Sequence, residues 1–262
     1  MSVGIDVSPG EVAAAVALAA LAAAVSIWQR ADLERDIGVA VVRSIIQLTA
    51  IGYVIDLIFE QDELVFVLAL LTVMVVFGAL TARSRAKRVP GALGPLLIAL
   101  TLAGAGTIGL VVALGIFKPE ARYLVPVGGM VIGNAMTASA VALNRLGDEM
   151  ADGRAQIEAT LALGATSREA AAPIVRRALR SGMIPLVDAT KTTGLIFFPG
   201  TMVGMLLAGA EPTDAVRLQL ILLYALLGSV SIAALIATGL AQRNFFTAAH
   251  QLRDPEQRNT SA

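Results

Sequence analysis

A few polar side chains stand at helical spacing inside long uncharged stretches of this chain, and each is expensive to place in hydrocarbon. Arg43 is followed one turn later by Gln47, so on a helix a guanidinium and an amide share one face and together can hold an anion. Lipid phosphate competes for that role, because Arg43 lies two turns from the end of its stretch and can snorkel. Asp188 and Lys191 are three apart and can neutralise each other on one face, and mutual pairing outweighs direct contact with a substrate. Asn134 is expected to hydrogen-bond across to another helix. Pro199 removes a backbone donor and Gly200 loosens the helix beside it, leaving carbonyls that are tolerable only against protein or a wet cavity. Met130, Met136, Met202 and Met205 offer soft sulfur to a metal in transit, although apolar packing accounts more simply for any one of them. Gly129-x-x-x-Gly133 and Gly200-x-x-x-Gly204 allow close helix approach, within one subunit or between two. Arg43, Gln47, Asn134, Met136, Asp188, Lys191, Pro199, Gly200 and Met202 are therefore the candidate pathway residues. No catalytic set accompanies them: G-x-S-x-G and H-E-x-x-H are missing, there is no Cys, and the single His250 has no ligand cluster around it. No metal-ligand set and no cofactor follow from the residues.

The elements that carry these groups must be membrane helices. The chain has 262 residues, 56% of them hydrophobic and 15% charged, with a mean hydropathy of +0.76, far from the soluble range. Uncharged runs at Val12–Gln29, Leu64–Ala82, Val89–Phe117, Tyr123–Asn144, Thr192–Ala210 and Leu218–Gln242 approach or exceed the ~20 residues that cross hydrocarbon. A seventh run, Ile37–Ile55, is interrupted only by Arg43. The expected fold is an all-α, polytopic helical membrane protein of about seven spans forming one domain over residues 1–262. The first run is not read as a signal peptide, since MSVGIDVSPGE ahead of it carries acids and no base.

Basic residues set the orientation. Arg30 and Arg35, then Arg83, Arg85, Lys87 and Arg88, then Arg145, Arg154, Arg168, Arg176, Arg177 and Arg180, then Arg243, Arg253 and Arg258 follow alternate spans. The opposite side has EQDE at Glu60–Glu63 and only Lys118, Arg122 and Arg217. The N-terminus is expected outside and the C-terminus, with a tail over 243–262, inside a cell (inner) membrane. Beside an apolar span, RSRAKR at Arg83–Arg88 reads as this topological signal and not as a nucleic-acid patch.

Residues 144–181 form the sizeable polar segment, too short for an independent enzyme domain. Asp152-Gly153 breaks it early, and Ile157, Leu161 and Gly164 then share a helical face with Glu158 beside them. Thr166 and Glu169 have capping-box spacing, which predicts a helix, a turn at Leu163-Gly164-Ala165-Thr166, and a second helix that Pro173 bends or restarts. By spacing alone, a solvated linker and a docking elbow are equally good readings.

The segment from Glu158 to Ile174, EATLALGATSREAAAPI, resembles the cytoplasmic EAA loop of ABC-transporter permeases. Leu163-Gly164-Ala165-Thr166, Arg176-Arg177-Ala178-Leu179-Arg180, Gly182-Met183-Ile184-Pro185, Lys191, Gly194-Leu195, Pro199-Gly200-x-Met202 and Gly209-x-x-Pro212 widen the likeness to the FetB-like permease family, which includes iron exporters and plant aluminium-tolerance permeases. Arg43-Ser44-x-x-Gln47-Leu48 and Gly133-Asn134-x-Met136 extend it over most of the chain. Two positions depart from the pattern: Arg176-Arg177 replaces a Leu-Pro, and Met205 stands where the family has Gln. The resemblance implies a permease subunit, probable exporter of iron or a related metal, working as a homodimer with a separate ABC ATPase that docks on Glu158, Ala159, Leu163, Gly164, Ala165 and Thr166. The chain itself lacks G-x-x-x-x-G-K-[ST], since none of Lys87, Lys118 and Lys191 follows a Gly-rich loop. A nucleotide-sugar or other organic anion also suits Arg43 and the amides. A membrane-embedded enzyme and a membrane scaffold are the rivals from other classes.

Overall fold

A computed structural model describes residues 8–61 and 63–253. Asp62, Arg258 and the tail over 254–262 lie outside the described residues. The described residues form α-helices and one short 3-10 turn, with only two isolated bridge contacts between extended residues. They divide into two compact units, residues 1–63 and 64–262.

The first unit is a helical hairpin. α1 (Pro9–Gln29) starts in a capping box in which the Ser8 side chain accepts from Glu11 N–H and the Glu11 carboxylate accepts from Ser8 N–H. Pro9 sits at the first helical position, where its missing N–H costs nothing. α1 ends at Arg30 in the left-handed region, and α2 runs Glu34–Gln61. Ser26 closes the corner by donating to Glu34 and accepting from Leu33 N–H at 2.9 Å.

The second unit is a bundle around one long helix. α3 (Leu64–Arg85), α4 (Leu93–Ala113) and α5 (Ala121–Asp152) are followed by the short α6 (Arg154–Ala162), then α7 (Ser167–Thr192), α8 (Gly200–Leu207) and α9 (Pro212–Ala241), with the 3-10 turn at Gln242–Phe245. α5 packs against α3, α4, α7 and α9. Its buried face is rich in small residues, among them Ala135, Ala138, Ser139 and Ala142, which let backbones approach as membrane helix packing requires.

At the α5–α7 contact one backbone presses directly on the other. A Cβ on Gly182 would come within 2.5 Å of the Ala138 carbonyl oxygen and 2.9 Å of Ala142 Cβ. Gly182→Ala therefore forces the two helices apart, at a cost of about 1–3 kcal/mol that outweighs a helix-propensity gain of about 1 kcal/mol. Gly106 has nothing within 4 Å of its Cβ position. Thermal unfolding in detergent should show a lower midpoint for Gly182→Ala and no loss for Gly106→Ala; equal midpoints would refute this packing account.

Among the described residues, six helices are long and apolar enough to cross a membrane: α1, α2, α3, α4, α5 and α9. The run expected to form a continuous span over Thr192–Ala210 does not. α7 ends at Thr192, the chain turns through Thr193–Pro199, and α8 has only 8 residues, roughly 12 Å of helix. Gly194 adopts φ 89° and its N–H donates to the Phe197 carbonyl at 2.8 Å. The break has a local cause: Pro199 biases Phe198 away from helical backbone and itself caps α8. The alternative in which Pro173 restarts the helix is not seen, because α7 continues through both Pro173 and Pro185.

Cross-links gather one end of this bundle. Arg88 pairs with Asp148 at 2.8 Å, Asn244 donates to the Pro90 carbonyl at 2.9 Å, and Ser167 meets His250. The α3–α4 loop, the end of α5, the start of α7 and the end of α9 thus lie together, bringing with them the basic clusters at 83–88, 145–180 and 243–253.

Candidate functional site

The elbow between α6 and α7 is built by two complementary caps. At the end of α6, Gly164 N–H donates to the Leu161 carbonyl at 2.9 Å and Ala165 N–H to the Thr160 carbonyl at 3.3 Å. With Gly164 at φ 92°, this is a Schellman closure, which needs a left-handed residue at that point. α7 then begins in the capping box expected from its sequence: Thr166 accepts from Glu169 N–H, and Glu169 accepts from Thr166 N–H at 2.9 Å. The hydrogen bonds from the Thr166 backbone, then its hydroxyl, hold the Glu169 carboxyl below its ordinary value.

Both helices are anchored while the tip stays bare. Ile157 is buried under α6, and Ala170, Ala171 and Ile174 are buried along α7. Glu149, with its side chain only 11% exposed, bridges Arg145 and Arg177 and so fixes α5 to α7. Leu163, between the caps, is 90% exposed. Nothing stands within 4 Å of a Cβ at Gly164. Glu158 pairs with Arg154 at 2.8 Å along α6, and Ala159 is exposed beside it. The six elbow residues anticipated from sequence, Glu158, Ala159, Leu163, Gly164, Ala165 and Thr166, therefore form one continuous surface feature.

The anticipated pathway residues fall into separate places. In the first unit, Arg43 and Gln47 share a face of α2 and line a shallow groove with Gly38, Val39, Val42 and Ile46. In the second unit, Asn134 does not reach another helix: its amide donates to the Met130 carbonyl of its own helix at 2.8 Å. It lies on an exposed face of α5, where the carbonyl one turn back is the available acceptor. Met136 is half-buried on the same helix.

Asp188 and Lys191 pair at 3.4 Å, as their spacing predicts. They occupy the end of α7 far from the elbow, roughly 33 Å along the helix, because α7 is continuous from Ser167 to Thr192. Pro199 and Gly200 begin α8, with Met202 half-buried on it. Just before them Leu195, Ile196, Phe197 and Phe198 form an exposed apolar turn, with Leu195 at 88%. Of the four glycines in the two G-x-x-x-G pairs, only Gly129 meets a neighbour, Met74; Gly133, Gly200 and Gly204 face open space. Among the described residues no three of His, Cys, Asp and Glu cluster to hold a metal.

Two features had no counterpart in the sequence reading. Gln219 on α9 is 6% exposed and Ser139 on α5 is fully buried, and neither Gln219 Oε1 nor Ser139 Oγ has a partner among the described residues. A lone Gln at the start of the Leu218–Gln242 run was the available signal for the first. The second feature is the tail: Thr247 N–H donates to the Gln251 carbonyl at 2.8 Å, and this tight loop delivers His250 Nδ1 to within 2.9 Å of the Ser167 hydroxyl at the start of α7.

Six membrane-length helices, an irregular break beside a short helix, and a capped elbow at the basic end define a polytopic helical membrane protein. The chain belongs to the uncharacterised protein family UPF0014, whose family model matches residues 9–246. It is 38% identical over 241 residues to the rice UPF0014 membrane protein STAR2, covering 92% of this chain and 85% of that one. It is 37% identical over 243 residues to the Arabidopsis thaliana protein ALUMINUM SENSITIVE 3, covering 92% and 88%. Against the probable iron export permease protein FetB of Escherichia coli K12 it is 33% identical over 247 residues, covering 94% and 95%. No solved structure matches the chain.

Proposed function

We propose that this chain is the membrane permease of an ABC transporter that exports iron or a related metal from the cytoplasm, driven by a separate ATPase docked on the α6–α7 elbow. The observation that carries this reading is the elbow itself: two independently capped helices, anchored to the bundle, present a 90%-exposed Leu163 beside Gly164. A large apolar side chain held in water on a rigid tip is what a partner's pocket would bury. Full-length similarity to a relative named as a probable iron export permease supplies the cargo and direction. In this reading the basic end of the bundle is cytoplasmic, which puts the N-terminus outside and the C-terminus inside a bacterial-type inner membrane.

Two copies of the chain act with two ATPases. Closure of the ATPases on ATP pushes the elbow, and α7 transmits the displacement to the break at Thr193–Pro199. Coupling of this kind requires that the ATPase bind the inward and outward states with different affinity. Asn134, Met136, Asp188, Lys191, Pro199, Gly200 and Met202 are the pathway residues of the second unit, and Arg43 and Gln47 are those of the first. Arg43 and Gln47 favour a second cargo, an organic anion, through charge-assisted hydrogen bonds.

Metal content of iron-loaded cells separates these readings. Cells expressing the chain with its ATPase should hold less iron than cells expressing the ATPase alone. Equal iron in both, with the complex assembled, would eliminate the metal and leave the anion.

A further inference from the structure

We propose that the groove between α4 and α9 is a binding site for an anionic phospholipid, with Arg168 and Arg243 clamping the headgroup phosphate at its basic end. The groove has a volume of about 770 Å³, within the roughly 300–1,000 Å³ of ligand sites. Its wall changes character along its length. Ile98 and Leu102 of α4 and Leu235 and Ile236 of α9 form an apolar stretch, which gives way to Gln242 and Arg243 in the 3-10 turn after α9 and Ser167 and Arg168 at the start of α7. From Arg243 back to Leu235 is roughly 12 Å of helix, close to the depth of one leaflet of a hydrocarbon core of ~30 Å. Ile98, Leu102 and Leu235 are each about half exposed, so the groove opens sideways, where lipid enters.

Charge fixes the occupant. Arg168 and Arg243 form no ion pair or side-chain hydrogen bond among the described residues. The carboxylate next to Arg168 in the chain, Glu169, is turned back onto the start of α7, where it accepts from Thr166, and makes no ion pair with either arginine among the described residues. Two guanidinium groups with no ion pair among the described residues, above an acyl-sized apolar channel, match a lipid with net negative charge better than a zwitterionic one. Bound there, such a lipid bridges the first turn of α7 to the 3-10 turn that follows α9 and ties the elbow to the bundle. The site stands on groove and charge alone, independent of the transport reading.

The test uses the purified full chain exchanged against mixed vesicles of equal phosphatidylglycerol and phosphatidylcholine, with retained lipid measured by mass spectrometry. The wild type should enrich phosphatidylglycerol about tenfold or more, and Arg168→Gln/Arg243→Gln should abolish the enrichment. Leu102→Trp, which fills the channel and keeps both arginines, should lower retention of phosphatidylglycerol. Retention in the bulk ratio by the wild type, or enrichment unchanged in both variants, would overturn the site. Displacement of the lipid by millimolar inorganic phosphate would overturn the acyl-chain part and leave a soluble-anion site.

Discussion

Leu163→Asp is expected to reduce association with the ATPase by on the order of thirtyfold or more, the loss that accompanies removal of an interface hot spot. The side chain is 90% exposed in the isolated chain, so its replacement removes no internal packing and the fold should persist. Gly164→Arg should have an effect of similar size for a different reason. The position has φ 92° and open space around it, so a long cationic side chain would project from the tip into whatever docks there. Backbone strain is separable from obstruction, because Asn tolerates left-handed backbone. Gly164→Asn should therefore keep most of the association. Glu158→Lys, which loses the Arg154 pair and sets two like charges one turn apart, should weaken docking as well. Co-purification of the ATPase with each variant measures this, and wild-type yields for both Leu163→Asp and Gly164→Arg would remove the elbow from the docking surface.

Arg43→Ala is expected to lower transport by about tenfold or more, the contribution of a charge-assisted hydrogen bond, with ATPase association unchanged. Among the described residues of its own unit, Arg43 lines its groove with Gly38, Val39, Val42, Ile46 and Gln47. Lipid phosphate and cargo are the two partners that the next variant separates. The two are told apart by Arg43→Lys, which snorkels equally well but lacks the planar fork. Transport near wild type in Arg43→Lys with loss in Arg43→Ala would indicate a positional charge. Full transport in Arg43→Ala would take the residue off the pathway.

How much of this was readable in advance varies with the range of the interaction involved. The elbow was legible residue by residue, because a Schellman Gly and a Thr-x-x-Glu capping box are local: Gly164 N–H reaches Leu161 and Thr166 reaches Glu169, all within one turn. The Asp188–Lys191 pair was legible for the same reason. Hydropathy predicts a span over Thr192–Ala210 that the structure interrupts, because hydropathy reports apolarity and not continuity; seven uncharged residues before α8 satisfy a hydropathy test while Gly194 and Pro199 break the helix. The sequence predicts a partner for Asn134 across the bundle, but whether a carbonyl on its own helix or a neighbour is nearer depends on which face α5 turns inward.

The all-α membrane character, the break at Asp152-Gly153 and the capped elbow were determined by the sequence by itself, since bilayer solvation and hydrogen bonds a few residues long decide them. Only the tertiary structure decided that Gly182 is the point where α7 touches the α5 backbone, that Glu149 joins Arg145 to Arg177, and that the tail brings His250 to Ser167. It also decided that Arg168 and Arg243, 75 residues apart in the sequence, end one groove. Those contacts join residues distant along the chain, and helix periodicity carries no information about which faces meet until the bundle has packed.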